Sequence, residues 1–151
     1  MCNRFFKILI IIVLPLMIAL SIYVLFRSDS LTIYYWFPIL KHIKHILVSK
    51  QAFNLNLLSR PVREFLIYSL PDGLWLYSFT CFMILIWDNS KSKLKYFWMY
   101  IGTVIALTQK LGQGLGIFNG TFDINDIVIY LIATIVATLI TKKYFREVNI
   151  L

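Results

Sequence analysis

The run from Ile8 to Phe26, nineteen residues without a charge, constrains this chain more than any other feature. Backbone that enters hydrocarbon must satisfy its own hydrogen bonds, so a run of this length is a membrane-crossing helix. Arg4 and Lys7 precede it. A secretory signal peptide would have a shorter apolar region followed by small residues, and Leu25-Phe26-Arg27 offers no cleavage site. The run is therefore expected to stay attached as an anchor. Cys2 lies before it, whereas a lipoprotein cysteine would follow it.

Three further spans are expected. Gly73 to Trp87 is fifteen apolar residues, about 22 Å of helix against a hydrocarbon core of about 30 Å. Ser69-Leu70-Pro71-Asp72 can supply the missing turn, with Ser69 as N-cap, Pro71 in the first turn and Asp72 at the third helical position. The spans then run at about 8–26, 70–87, 94–111 and 124–140. The expected fold is an all-α integral membrane bundle of four transmembrane helices, one membrane domain over residues 1–151. A composition that is 60% hydrophobic, 17% aromatic and only 15% charged fits that class and excludes an ordinary soluble domain.

Basic residues set the expected orientation. Arg4, Lys7, Lys91, Lys93, Lys95, Lys142, Lys143 and Arg146 fall on one side; Arg27, Lys41, Lys44, Lys50, Arg60, Arg63 and Lys110 fall on the other. The totals nearly balance, but the flanks of the first span decide: Arg4 and Lys7 precede it, while Arg27 is offset by Asp29. Both termini are expected in the cytoplasm. The net charge of +8 then meets anionic headgroups beside the spans, so membrane lipids and not nucleic acid are the expected partners. Cys2 and Cys81 should occupy different environments, and no disulfide is expected.

Residues 31–68 are too long and too apolar for a plain loop. Ile39, Leu40, Ile43, Ile46 and Leu47 recur at helical spacing, with Lys41, His42, Lys44, His45 and Ser49 largely opposite. An amphipathic helix in the interface between the first and second spans is expected, with Tyr34, Tyr35 and Trp36 at headgroup level and a short second helix from Pro61 towards Tyr68. His42 and His45 share a helical face, but no third ligand lies nearby, so no metal and no cofactor are expected.

The same threading carries Asp72, Gln109, Gln113, Asp123, Asp126 and Tyr130 toward the outer face, where they form the candidate polar cluster. Gly112-Gln113-Gly114-Leu115-Gly116 is no dinucleotide fingerprint; it marks a helix that unwinds where glycine accepts positive φ. Gly102, Ala106, Gln109 and Gln113 form one stripe, and Asp126, Tyr130, Ala133, Ala137 and Thr141 another, both suited to close helix packing. Asp123 and Asp126 can also serve the fourth span as N-cap and third-position acid. The aspartates are thus either caps or a pocket for a substrate, ion or proton.

Leu70-Pro71-Asp72-Gly73-Leu74-Trp75, then Gln113, then Gly120-Thr121-Phe122-Asp123-Ile124-Asn125-Asp126 resembles the VanZ-like family of small bacterial membrane proteins. That family shows an aspartate opening one span, E-x-x-Q ending the next, and a glycine–arginine turn leading to D-x-x-D. Asp72, Gln113, Gly120, Asp123 and Asp126 match; Gly73, Leu76, Lys110 and Tyr130 stand where lysine, histidine, glutamate and asparagine are usual, and the arginine after Gly120 is absent. The resemblance implies a protein of the bacterial cytoplasmic membrane, and the founding member is associated with tolerance of teicoplanin-type glycopeptide antibiotics. An accessory or binding protein for a lipid or cell-wall precursor is the leading expectation. A hydrolase or transferase holding Mg²⁺ on a phosphorylated lipid and a small transporter component are the alternatives. Asp72-Gly73 lacks the flanking residues of the CDP-alcohol transferase pattern. Four short spans leave little interior, so self-association is an open expectation.

Overall fold

The computed structural model describes residues 6–27, 33–49 and 59–146. Cys2, residues 31–32 and residues 50–58 of the expected interfacial segment lie outside them. The described chain is all helical: α1 Phe6–Phe26, α2 Ile33–Trp36, α3 Pro38–Ser49, α4 Arg60–Trp87, α5 Lys95–Gly114 and α6 Ile124–Arg146. Three helices are long and apolar enough to cross a membrane, namely α1, α4 and Ile124–Tyr144 of α6, which marks a membrane protein. Helix α5, with 20 residues and so about 30 Å, has the length, but Lys95, Gln109, Lys110 and Gln113 dilute its apolar character.

The second span corrects the sequence reading. Helix α4 is 28 residues long and does not begin at Leu70. Ser69 has helical φ −79° and ψ −39° and makes no side-chain cap bond. The helix starts instead after Ser59, whose ψ is 148° and whose carbonyl accepts the Arg63 N–H at 3.0 Å. Ser59-Arg60-Pro61 and Ser69-Leu70-Pro71 carry the same start signal, and only the first one acts on it. The chain passes Pro71 without breaking because the turn before it is widened. Phe65–Ser69 is π-helical, and the Leu70 N–H reaches the Phe65 carbonyl. A proline lacks the N–H and crowds the carbonyl four residues back; the wider turn relieves that crowding. Helix α1 uses the same device: Leu9–Val13 is π-helical and the Leu14 N–H bonds the Leu9 carbonyl, just ahead of Pro15.

Helix α4 is the centre of the bundle and packs against α6, α1 and α5. Gly73, Leu76, Ser78, Thr80, Cys81 and Ile84 are buried around its circumference, as expected of a helix with neighbours on several sides. Ile12 of α1, Cys81 of α4 and Ala137 of α6 meet in a core flanked by Ile8, Ile11, Tyr77 and Leu85. The expected stripe Asp126, Tyr130, Ala133, Ala137 and Thr141 is buried along its whole length, and its principal neighbour is α4. Gly102 of α5 likewise faces α4: a Cβ there would lie 2.5 Å from Phe79. Between α5 and α6 the links are polar, Thr103 to Thr134 at 2.8 Å and Tyr100 to Thr138 at 3.3 Å. Trp87 and Trp98 stack across the α4–α5 turn at 5.8 Å.

Helix α3 is joined to α1 through polar tips. The Tyr34 hydroxyl, just before it, donates to the Val24 carbonyl, and Lys44 Nζ donates to the Arg27 carbonyl at 2.6 Å. Ile39, Ile43 and Ile46 are left exposed.

Candidate functional site

Four helices bring charge to one end of the bundle. Arg27 ends α1, Asp72 lies beyond the widened turn of α4, Lys110 is near the end of α5, and Asp126 is in the first turn of α6. Lys110 Nζ lies 2.6 Å from Asp126 Oδ2, with the two side chains only 14% and 11% exposed. Arg27 Nη2 lies 3.5 Å from Asp72 Oδ1, and that pair is more open. The two cations balance the two anions. Tyr130 is buried within electrostatic range of Asp72 and Asp126.

The two pairs differ in kind. Lys110–Asp126 is short, nearly dry and reinforced by donation from Lys110 Nζ to the Thr121 carbonyl at 3.4 Å. Arg27 is held by aromatic faces, 4.5 Å from the Tyr23 centroid and 5.6 Å from that of Tyr68. Its Nε has no hydrogen-bond partner among the described residues. Its contact with Asp72 is longer than the roughly 2.7–2.9 Å of a strong charge-assisted bond.

Asp72 and Trp75 border two grooves. One, of about 670 Å³, lies between α1, α4 and the α2–α3 junction and is walled by Leu20, Tyr23, Trp36, Phe37 and Trp75, with Asp72 as its carboxylate. The other, of about 310 Å³, lies between α4 and α5 and joins Asp72 to Gln109 and Tyr130 past the small residues Gly102 and Ala106.

Of the six expected cluster residues, Asp72, Gln109 and Tyr130 share a groove and Asp126 adjoins them through the charge network. Gln113 and Asp123 do other work. Gln113 Nε2 donates to the Asn119 carbonyl at 3.3 Å and braces the loop after α5. Asp123 Oδ1 accepts the Asn125 N–H at 2.9 Å, the bond of an N-cap. That loop closes α5 with a Schellman motif: Gly116 has φ +73°, the Ile117 N–H bonds the Gly112 carbonyl at 2.8 Å, and the Gly116 N–H bonds that of Gln113 at 3.1 Å.

Arg27 and Lys110 complete the charge cluster and are not among the six expected residues. Both count toward charge balance in the sequence, but their places directly beside helix ends that also carry carboxylates were a usable signal. His42 and His45 are exposed on α3, and no group of three metal-ligating side chains occurs among the described residues.

Comparisons with family models, with curated proteins and with solved structures gave no match for this chain.

Proposed function

We propose that this chain is a VanZ-like, four-span protein of the bacterial cytoplasmic membrane that binds an amphiphile at its outer face and has no catalytic role of its own. In this reading α5 is the additional span, both termini are cytoplasmic, and α3 lies in the outer interface. The groove of about 670 Å³ carries the reading, because it combines aromatic walls with one polar end at Asp72. Its size and lining are those of a small-molecule site, mostly apolar with few placed polar groups.

The charge pairing supports binding over metal-dependent hydrolysis. Asp126 is closed against Lys110 at 2.6 Å, which leaves Asp72 without a second free carboxylate beside it to share Mg²⁺. Departures from the VanZ-like pattern fit the packing. A Cβ at Gly73 would lie 2.5 Å from Ile129 Cγ1, which closes the position where the family carries lysine. Lys110, where the family carries glutamate, neutralises Asp126.

The test is glycopeptide tolerance in a bacterium deleted for this protein and complemented with variants. Asp72→Asn and the groove-filling Leu20→Trp should reduce tolerance to the level of the deletion while folded protein in the membrane stays near normal. Asp123→Asn should keep it. Full tolerance with both groove variants would overturn the proposal.

A further inference from the structure

The Arg27–Asp72 pair is ajar where Lys110–Asp126 is closed. Their distances are 3.5 Å and 2.6 Å, and the Arg27 and Asp72 side chains keep 23% and 39% exposure. Arg27 lies against the rings of Tyr23 and Tyr68, so these fix the guanidinium without using up its N–H groups. Its Nε finds no acceptor among the described residues. Asp72, for its part, borders the aromatic groove beside Trp75. Asp72 thus stands at the groove as an acceptor carboxylate, with the Arg27 guanidinium 3.5 Å from it and with Leu20, Trp36 and Phe37 among the apolar residues of the wall.

We propose that this groove holds a zwitterionic phospholipid bearing a primary amine, with its phosphodiester on Arg27, its ammonium on Asp72 and an acyl chain along Leu20, Trp36 and Phe37. The proposal rests on the amphiphile-binding reading and specifies the class of ligand. Three features select that class. The Arg27–Asp72 pair carries one charge of each sign, so a zwitterion exchanged into it pairs both and leaves that balance unchanged. The planar guanidinium matches a phosphodiester in geometry. A primary ammonium can donate N–H bonds to the Asp72 carboxylate while resting on nearby aromatic faces, and a quaternary ammonium has no N–H to donate. Binding inserts the headgroup between the two side chains and replaces one long contact with two short ones.

Competition among lipids tests this. The full-length protein in detergent is given an equimolar mixture of phosphatidylethanolamine, phosphatidylcholine and phosphatidylglycerol with identical acyl chains, and retained lipid is identified by native mass spectrometry. One phosphatidylethanolamine should be retained, at about tenfold preference over each of the other two. Asp72→Asn should bring that preference to within about twofold while lipid is still retained, and Leu20→Trp should remove all three. Should Asp72→Asn not fold, Arg27→Gln serves in its place and should lower retention of every phospholipid. Equal retention of phosphatidylcholine, or a preference for phosphatidylglycerol, would overturn the headgroup assignment and leave amphiphile binding standing. Retention of none of the three by the wild type would overturn both. An unchanged preference in Asp72→Asn or unchanged retention in Arg27→Gln would also overturn the assignment.

Discussion

Lys110 on α5 and Asp126 on α6 meet at 2.6 Å in a setting where both side chains are almost fully covered. This contact ties together two helices whose other links are hydroxyl bonds. Removing one member of a buried pair leaves the other charge uncompensated, so Lys110→Met and Asp126→Asn should each cost about 3–5 kcal/mol of stability. The double variant Lys110→Met/Asp126→Leu should recover most of that loss. Thermal unfolding in detergent, followed by circular dichroism, checks both statements.

Asp123, three residues away, should behave differently. Its carboxylate accepts one backbone N–H and is a cap. Asp123→Asn keeps an acceptor and should cost no more than about 1 kcal/mol, while Asp123→Ala should cost about 0.5–2 kcal/mol. The same unfolding measurement separates the two aspartates.

At Gly73 the backbone of α4 comes up against Ile129 of α6. Ile129 is β-branched and stiff on a helix, so it gives way poorly to a Cβ placed 2.5 Å from its Cγ1. Gly73→Ala should destabilise the fold by about 1–3 kcal/mol. In an Ile129→Ala background the same substitution should cost markedly less, as read by a double-mutant cycle.

The four-span reading predicts where the turns lie. Reporter fusions at residue 151 and within Ser90–Lys93 should both report cytoplasm, and a tag within Gln113–Phe122 should be accessible from outside. A cytoplasmic signal from that loop would leave α5 outside the set of spans.

Much of the helical content was legible because apolar runs and their period are local properties. The first apolar helix, the presence of a helix at Pro38–Ser49 and the buried stripe of α6 all follow from spacing alone. The start of α4 did not, because Ser69-Leu70-Pro71 is a valid helix start that tertiary packing overrides, and a π turn is invisible in a propensity argument. Glycines 112 to 116 announced the end of α5 correctly. The site was half legible. Asp72, Asp126 and Tyr130 stood out as polar residues on apolar helices, but Arg27 and Lys110 looked like interfacial charges until the helices converged and paired them. Gln113 and Asp123 sat at the right end of the bundle, yet their hydrogen bonds serve the backbone around them.

The central claim is that an amphiphile occupies the groove beside Asp72, and site-resolved photocrosslinking measures that occupancy directly. A phosphatidylethanolamine with a photoreactive acyl chain, incorporated in membranes carrying the full-length protein, should label peptides containing Leu20, Tyr23, Trp36, Phe37 and Trp75, and Leu20→Trp should abolish that labelling. Labelling spread evenly over these residues and the exposed α6 face of Ile132, Ile135 and Leu139, unchanged by Leu20→Trp, would contradict the account.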